Sequence, residues 1–274
     1  MNILEKIVEH KGKEVAERKS LYPTRLLEQS IFFASPTVSL KKYVQRKDKT
    51  GIIAEFKRKS PSKGIINAHA PVERTTLGYM QAGASALSVI TDRTFFGGSN
   101  DDLLVARKFN FCPILRKDFT VDEYQIIEAR SIGADAILLI AAILRPEEAK
   151  TLTDFSHSLG LEVLLEVHDA DELSTHGDIG ADLIGVNNRN LKTFEVDINI
   201  SKELAGRIPN SVVKVSESGI TSAGTIEELR SYGFEGFLMG ENFMRCSRPE
   251  HAAMEFSREL TARPTSSKVR TLIA

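Results

Sequence analysis

The stretch GIIAEFKRKSPSKG, residues 51–64, places an acid and a base where an apolar run ends. At strand period Glu55 and Lys57 share one face, and the apolar Phe56 between them points to the other. Such a pair is either decoration on a solvated edge or the rim of a pocket. The same kind of ending recurs along the chain. Lys117 and Asp118 follow CPILR, Glu166 stands in EVLLEV, Asn187, Asn188 and Arg189 follow DLIGV, and Glu217 and Ser218 follow VVKVS. Carboxylates beside ammonium groups can pass protons to a carbonyl or a leaving hydroxyl and can hold an anion. Singly, each of these residues reads more readily as an ion pair at a strand end. Together, Glu55, Glu166, Glu217, Lys57, Lys117 and Arg189 need many mutual contacts to offset desolvation, and a charged ligand explains their retention better than stability does.

The elements that must position them repeat. From Gly51 onward the chain alternates a short apolar run, a polar loop and a helical stretch, the runs being GIIAEFK, ALSVIT, CPILRK, DAILLI, EVLLEV, DLIGVN, VVKVSE and GFLMG. Four are introduced by variants of one phrase, QAGASALSV, SIGADAILL, DIGADLIGV and SYGFEGFLM, with glycine at a helix end ahead of the strand. Strands alternating with helices predict parallel pairing, and near-continuous apolar runs predict burial on both faces. Eight equivalent units predict a (β/α)8 barrel, since closure removes sheet edges. An open doubly wound sheet is the alternative, disfavoured because the turn after the first run reads SPSKG and not GxGxxG. In a barrel the pocket lies at the carboxyl ends of the strands, where the charges accumulate; the amino ends carry little beyond Asp135, Glu162 and Asp182.

Ahead of the repeat, Leu4, Ile7, Val8, Lys11 and Val15 fall at helical spacing, and PTRLLEQS and SPTVSLKKYVQR predict two short helices opening on Pro or Ser. We expect one domain over residues 1–274, with 1–48 as a helical extension and no fused second enzyme after the closing RPTSSKVRTLIA. The 42% apolar and 27% charged composition is that of an ordinary globular protein. A net charge of -1 provides no basic field for nucleic acid or an anionic membrane. Two cysteines without CxxC spacing, an N-terminus without a signal-peptide pattern and no apolar run long enough for a bilayer predict a cytoplasmic protein. Six scattered histidines without HxH or HExxH make a metal site unexpected.

The turns VSESGIT and LMGENF each put a glycine between strand and helix, where backbone N–H groups favour phosphate. A barrel commonly holds phosphate between its last two loops, which favours phosphate over mere tight turns at Gly219 and Gly240. HDADEL reads as a capping box, Asp169 with Glu172, rather than a metal site. In TDRTFFGGS, Phe95 or Phe96 is a candidate aromatic wall for a planar substrate, packing being an equal alternative for Phe95.

The phrases IAEFKRKSPSKG, SVITD with FFGGS, PILRKDF with YQIIEAR, GADAILLI, LEVLLEVHD, GVNNRNLKTFEVD, VSESGI and LMGENFM, spanning about residues 51–244, closely resemble the indole-3-glycerol phosphate synthase family. The resemblance implies a carboxy-lyase of tryptophan biosynthesis. Such an enzyme closes the ring of 1-(2-carboxyphenylamino)-1-deoxyribulose 5-phosphate, then decarboxylates and dehydrates it to indole-3-glycerol phosphate, without cofactor, metal or obligate protein partner. It implies Lys117 as principal general acid and Glu166 as the group assisting proton removal and dehydration, with Glu55, Lys57, Glu217 and Asn187 completing the catalytic set. Ser60, Phe96, Phe119, Asn188, Arg189, Leu191 and Leu238 fall on its substrate-contact positions, Phe96 and Phe119 sandwiching the anthranilate ring. The resemblance also implies that Lys57 and the backbone of Ser218, Gly219, Gly240 and Glu241 hold phosphate, with the Glu241 side chain expected to point away. One departure is Asn242, where the family pattern GESFM has serine. Chemically, partly desolvated lysines beside one another can release protons near neutral pH whereas arginine cannot, which assigns proton transfer to Lys117 and charge holding to Arg189. The alternatives are a phosphoribosylanthranilate isomerase, which needs a cysteine at the mouth whereas Cys112 falls at the start of its strand, and a barrel reduced to a scaffold.

Overall fold

A computed structural model describes residues 3–262; the RPTSSKVRTLIA stretch lies outside them. Eight parallel strands form a closed barrel, each paired with its neighbours in chain order and the last with the first. They are β1 (Ile52–Phe56), β2 (Ala86–Ile90), β3 (Ile114–Lys117), β4 (Ala136–Ile140), β5 (Glu162–Val167), β6 (Leu183–Asn187), β7 (Val213–Glu217) and β8 (Gly236–Met239). Each apolar run read from the sequence forms one strand, and closure excludes the open-sheet alternative.

Three helices precede β1: α1 (Ile3–Leu21), α2 (Thr24–Leu27) and α3 (Leu40–Val44). Between strands run α4 (Val72–Gln81), α5 (Asn100–Phe109), α6 (Glu123–Ser131), α7 (Pro146–Ser158), α8 (Ala170–His176), α9 (Asn199–Leu204) and α10 (Ala223–Ser231), and after β8 come α11 (Glu241–Met244) and α12 (Pro249–Ala262). The recurring glycine has one physical cause: Gly83, Gly133, Gly180 and Gly233 adopt left-handed φ of 89°, 87°, 85° and 90°, which turns the chain into the next strand at no Cβ cost.

Alternation along the strands sorts the residues. Ile53, Leu115, Leu164, Val215 and Leu238 fill the barrel interior, while Ile52, Ala54, Phe56, Val89 and Ile184 pack outward under the helices. Glu55, Lys117, Glu166 and Glu217 lie two positions beyond Ile53, Leu115, Leu164 and Val215, so they occupy the inward layer at the carboxyl ends.

The segment before β1 wraps the barrel from mouth to floor. Ile3, Leu4 and Ile7 of α1 line the cavity at the mouth, and Arg18 pairs with Glu128 on α6. Leu40 and Val44 of α3 join the interior core, Val44 facing Gly236 at the start of β8. The helix expected to open at Ser35-Pro36 begins later, with Ser39 as N-cap accepting from Lys42 N at 3.1 Å. Residues 36–38 bond the barrel floor instead: Thr37 Oγ1 donates to Gly160 O at 2.8 Å and Val38 N to Asp135 Oδ1 at 2.8 Å. Asp135 and Glu162, the charges noted at the amino ends, are therefore docking points for this segment, Glu162 accepting from Ser39 Oγ and Lys41 N.

Candidate active site

A cavity of about 500 Å³ opens at the carboxyl ends of the strands. At its centre Lys117 Nζ lies 2.7 Å from Glu166 Oε2 and 2.8 Å from Glu217 Oε2. Asn187 Nδ2 donates to Glu166 Oε1 at 3.0 Å, and Lys57 Nζ lies 2.6 Å from Glu55 Oε1. Burial opposes the charge on Lys117, but Glu166, Glu217 and Glu55 outweigh it and hold the ammonium firmly protonated. Burial likewise opposes ionisation of Glu166, and Lys117 with His168 overcomes it, keeping this carboxyl far below its usual range. Glu217 goes the other way: burial, against the pull of Lys117 and with the push of Glu166, raises it to about 7. Its Oε1 has no hydrogen-bond partner and lies against Gly185, where a Cβ would stand 2.2 Å away, so glycine in DLIGVN makes room for this carboxylate. The expectation of lysines acidified by each other is corrected. Lys117 sits on Glu166 and Glu217, which strengthen its hold on the proton, and Lys57 pairs with Glu55.

Ser60, Leu191 and Leu238 line the same cavity, as do Arg189, Ser218, Gly219, Gly240 and Glu241. Ser218 and Gly219 both have left-handed backbone, φ 67° and 80°. Asn188 is not part of the lining. It is wholly buried, its Nδ2 within 3.0–3.1 Å of Ser216 Oγ, Glu217 O and Ser218 O and its Oδ1 accepting from Ser201. Every polar atom of its side chain is thus occupied in fastening the β7 loop, including the left-handed Ser218, so it has none left for a ligand. Glu241 does not turn away from the cavity. Its carboxylate is met there by Arg189 Nη2 at 3.2 Å and Lys63 Nζ at 3.6 Å. Asn242 also lines the cavity.

Phe96 and Phe119 both line the cavity, with ring centroids 5.8 Å apart and planes tilted by 40°. That is the spacing of two rings in mutual contact, whereas a ring held between them needs about 7 Å, twice an aromatic contact distance. They make one aromatic wall, not a slot. Phe95 instead packs edge-on against His10 of α1. The two loops carrying the wall are tied by Lys11, which is 1% exposed and contacts Asp118 Oδ1 at 2.9 Å, Asp92 Oδ2 at 3.0 Å and Glu14 Oε2 at 2.9 Å. Asp92 Oδ1 accepts from the backbone N–H groups of Phe95 and Phe96, and Asp118 Oδ1 from that of Phe119. Among the described residues no group of three or more His, Cys, Asp or Glu is placed to hold a metal ion. Cys112 is buried just before β3, at the amino end.

A family model described as indole-3-glycerol phosphate synthase matches residues 4–256. The chain belongs to the indole-3-glycerol phosphate synthase family. A synthase of that name from Bacteroides thetaiotaomicron is 46% identical over 255 residues, 93% of this chain and 97% of the relative. One from Campylobacter jejuni is 42% identical over 247 residues, covering 89% and 95%. Among solved structures, thiamine phosphate pyrophosphorylase from Pyrococcus furiosus superposes with a TM-score of 0.59 at 13% identity, covering 82% of this chain and 98% of its own. The corresponding values for 3-hexulose-6-phosphate synthase from Salmonella typhimurium are 0.60, 11%, 77% and 98%. These two share the fold alone.

Two parts of this synthase-family site were not read from the sequence. In the sequence Lys11 reads as one position of an amphipathic helix, because its partners are distant in the chain. His168 carries no signal of its own inside HDADEL, where the helix-capping pattern dominates. Asp169 does cap α8, accepting from Asp171 N and Glu172 N, but Glu172 reaches one residue further back than a capping box requires and takes His168 N at 2.8 Å.

Proposed function

We propose that this chain closes the ring of 1-(2-carboxyphenylamino)-1-deoxyribulose 5-phosphate and releases carbon dioxide and water, yielding indole-3-glycerol phosphate. The observation that carries the assignment of roles is Lys117 held between Glu166 and Glu217 in the inward layer of the barrel mouth. In this reading the ring carbon bearing the carboxylate attacks the ketone while Lys117 gives its proton to the ketone oxygen. An ammonium fixed in a dry site stabilises the developing alkoxide without reorganisation. Loss of carbon dioxide restores the aromatic ring. Glu166, oriented by Asn187, then takes a proton from the methylene carbon beside nitrogen as the new hydroxyl accepts a proton from Lys57 and leaves as water. Glu55 holds Lys57, which meets the substrate's anionic groups. The 5-phosphate lies against the backbone of Ser218, Gly219, Gly240 and Glu241, near Arg189. Phe96, Phe119, Leu191, Leu238 and Ser60 border the aromatic ring.

Every role falls on this one chain, so the reading calls for neither a nucleic acid nor a protein partner. It also calls for no cofactor. Free Cys112 and Cys246 support a reducing cytoplasm as the compartment, and no helix among the described residues is long and apolar enough to cross a membrane. The test is direct: the purified protein is mixed with the anilino-deoxyribulose phosphate and indole fluorescence is followed. Folded protein that yields no indole product would overturn the reading.

A further inference from the structure

The proposed base has a second cation behind it. Glu166 Oε2 faces Lys117, whereas Glu166 Oε1 lies 3.3 Å from His168 Nε2, an ion-pair distance longer than a good hydrogen bond. On the other side of the imidazole, Nδ1 is 3.1 Å from Glu172 Oε2, the same oxygen that accepts the His168 backbone N–H. The ring is mostly buried, at 12% side-chain exposure, while Glu172 in the first turn of α8 is 21% exposed. Lys117, Glu166, His168 and Glu172 thus run from the barrel axis toward the surface as cation, anion, cation, anion.

We propose that His168 is a positioning residue: as an imidazolium clamped by Glu172, it fixes the Glu166 carboxylate and keeps it ionised while Lys117 gives up its proton. This rests on the roles of Lys117 and Glu166 given above.

The geometry requires the cation. A neutral imidazole has one N–H and one lone pair, so with a carboxylate at each nitrogen one of them would face the lone pair. Only the doubly protonated ring meets both favourably. Burial works against that charge, and Glu166 and Glu172 outweigh it, lifting His168 to about 10. The need for it follows from the reaction. The groups around Glu166 are Lys117 from β3, Asn187 from β6, Glu217 from β7 and His168 from its own loop. Once Lys117 has passed its proton to the ketone, His168 is the cation that remains in contact. Without it, a buried carboxylate beside Glu217 would take up a proton itself and could not serve as base in the dehydration.

The experiment compares pH profiles of kcat for the wild-type protein, His168→Gln and Glu172→Gln with the anilino-deoxyribulose phosphate as substrate. Glutamine keeps a donor near Glu166 and removes the charge. For His168→Gln the acidic limb is expected to move up by about one pH unit or more, so that kcat at a fixed pH on that limb falls about tenfold while the plateau and KM change little. Glu172→Gln, at a partly exposed position that puts folding at little risk, is expected to shift the limb in the same direction by less. A uniform loss of kcat with an unshifted limb would assign His168 a purely structural role and overturn the proposal. So would an ¹⁵N imidazole spectrum placing His168 in the neutral form at pH 7. No product from the wild-type protein would sink the reaction and this role together, whereas product with unshifted limbs would sink this role alone.

Discussion

Three carboxylates, Glu55, Glu166 and Glu217, face two lysines at the barrel mouth, so the division of protons among them decides what the site can do. Lys117 has two carboxylate contacts where Lys57 has one. Lys117→Met is expected to lower kcat at least about 10²-fold, the usual worth of a positioned acid, while a substrate analogue still binds. Unchanged turnover would move the acid to Lys57. Glu217 offers a test on stability. Its pKa rises from 4.5 unfolded to about 7 folded, so the folded state holds this proton more tightly. The contribution is fully present below pH 4.5 and is lost as the pH climbs through 7. Glu217→Gln removes that dependence, so the stability difference, wild type minus variant, is expected to fall between those two pH values in urea titrations. A constant difference would refute the assignment. At this scale the sequence was legible where a residue type fixes the chemistry, as at Lys117 and Glu166, and less so where contacts fix it. Asn188 and Asn187 are adjacent and of one type, yet alternation sends one to the cavity and the other into the loop beneath.

At the scale of elements, the strands were legible because each carries its own signal, an apolar run behind a left-handed glycine, and neither depends on distant contacts. The docking of α1 was not legible. Its helical period is local, but its position over the mouth is set by Lys11 meeting Asp92 and Asp118 on two separate loops. Lys11 carries its charge despite burial because Asp118, Asp92 and Glu14 surround it. Removing one member of a buried ion network leaves the others uncompensated, at a cost of about 3–5 kcal/mol. Lys11→Met is therefore expected to destabilise by that order in urea unfolding. Because Asp92 and Asp118 also hold the backbone of Phe96 and Phe119, the KM for substrate is expected to rise more than kcat falls. A variant as stable as the wild type would show that α1 rests on the mouth without anchoring it.

For the whole molecule the question is whether residues 1–48 form a part that can be lost. We propose that they do not, and that the chain folds as one domain. Two observations support this. Leu40 and Val44 share the interior core with Ile53, Leu115, Leu164 and Val215, filling the floor of a cylinder whose strands cannot close it themselves. At the other end Ile3, Leu4 and Ile7 wall the cavity. Taking this segment away opens both ends, and each fully buried Leu or Val withdrawn forfeits about 1.5–3 kcal/mol, before the interior residues it uncovers are counted. A closed parallel sheet adds its own coupling, because no strand can leave without breaking the ladders on both sides. Calorimetric unfolding is therefore expected to give one transition with equal calorimetric and van't Hoff enthalpies. Deletion of residues 1–45 is expected to abolish that transition, not merely shift it. Two resolved transitions, with the second retained in the deletion, would show a self-sufficient barrel carrying a detachable extension. In that case the mouth would be completed only when α1 docks, making substrate affinity depend on a separate folding step.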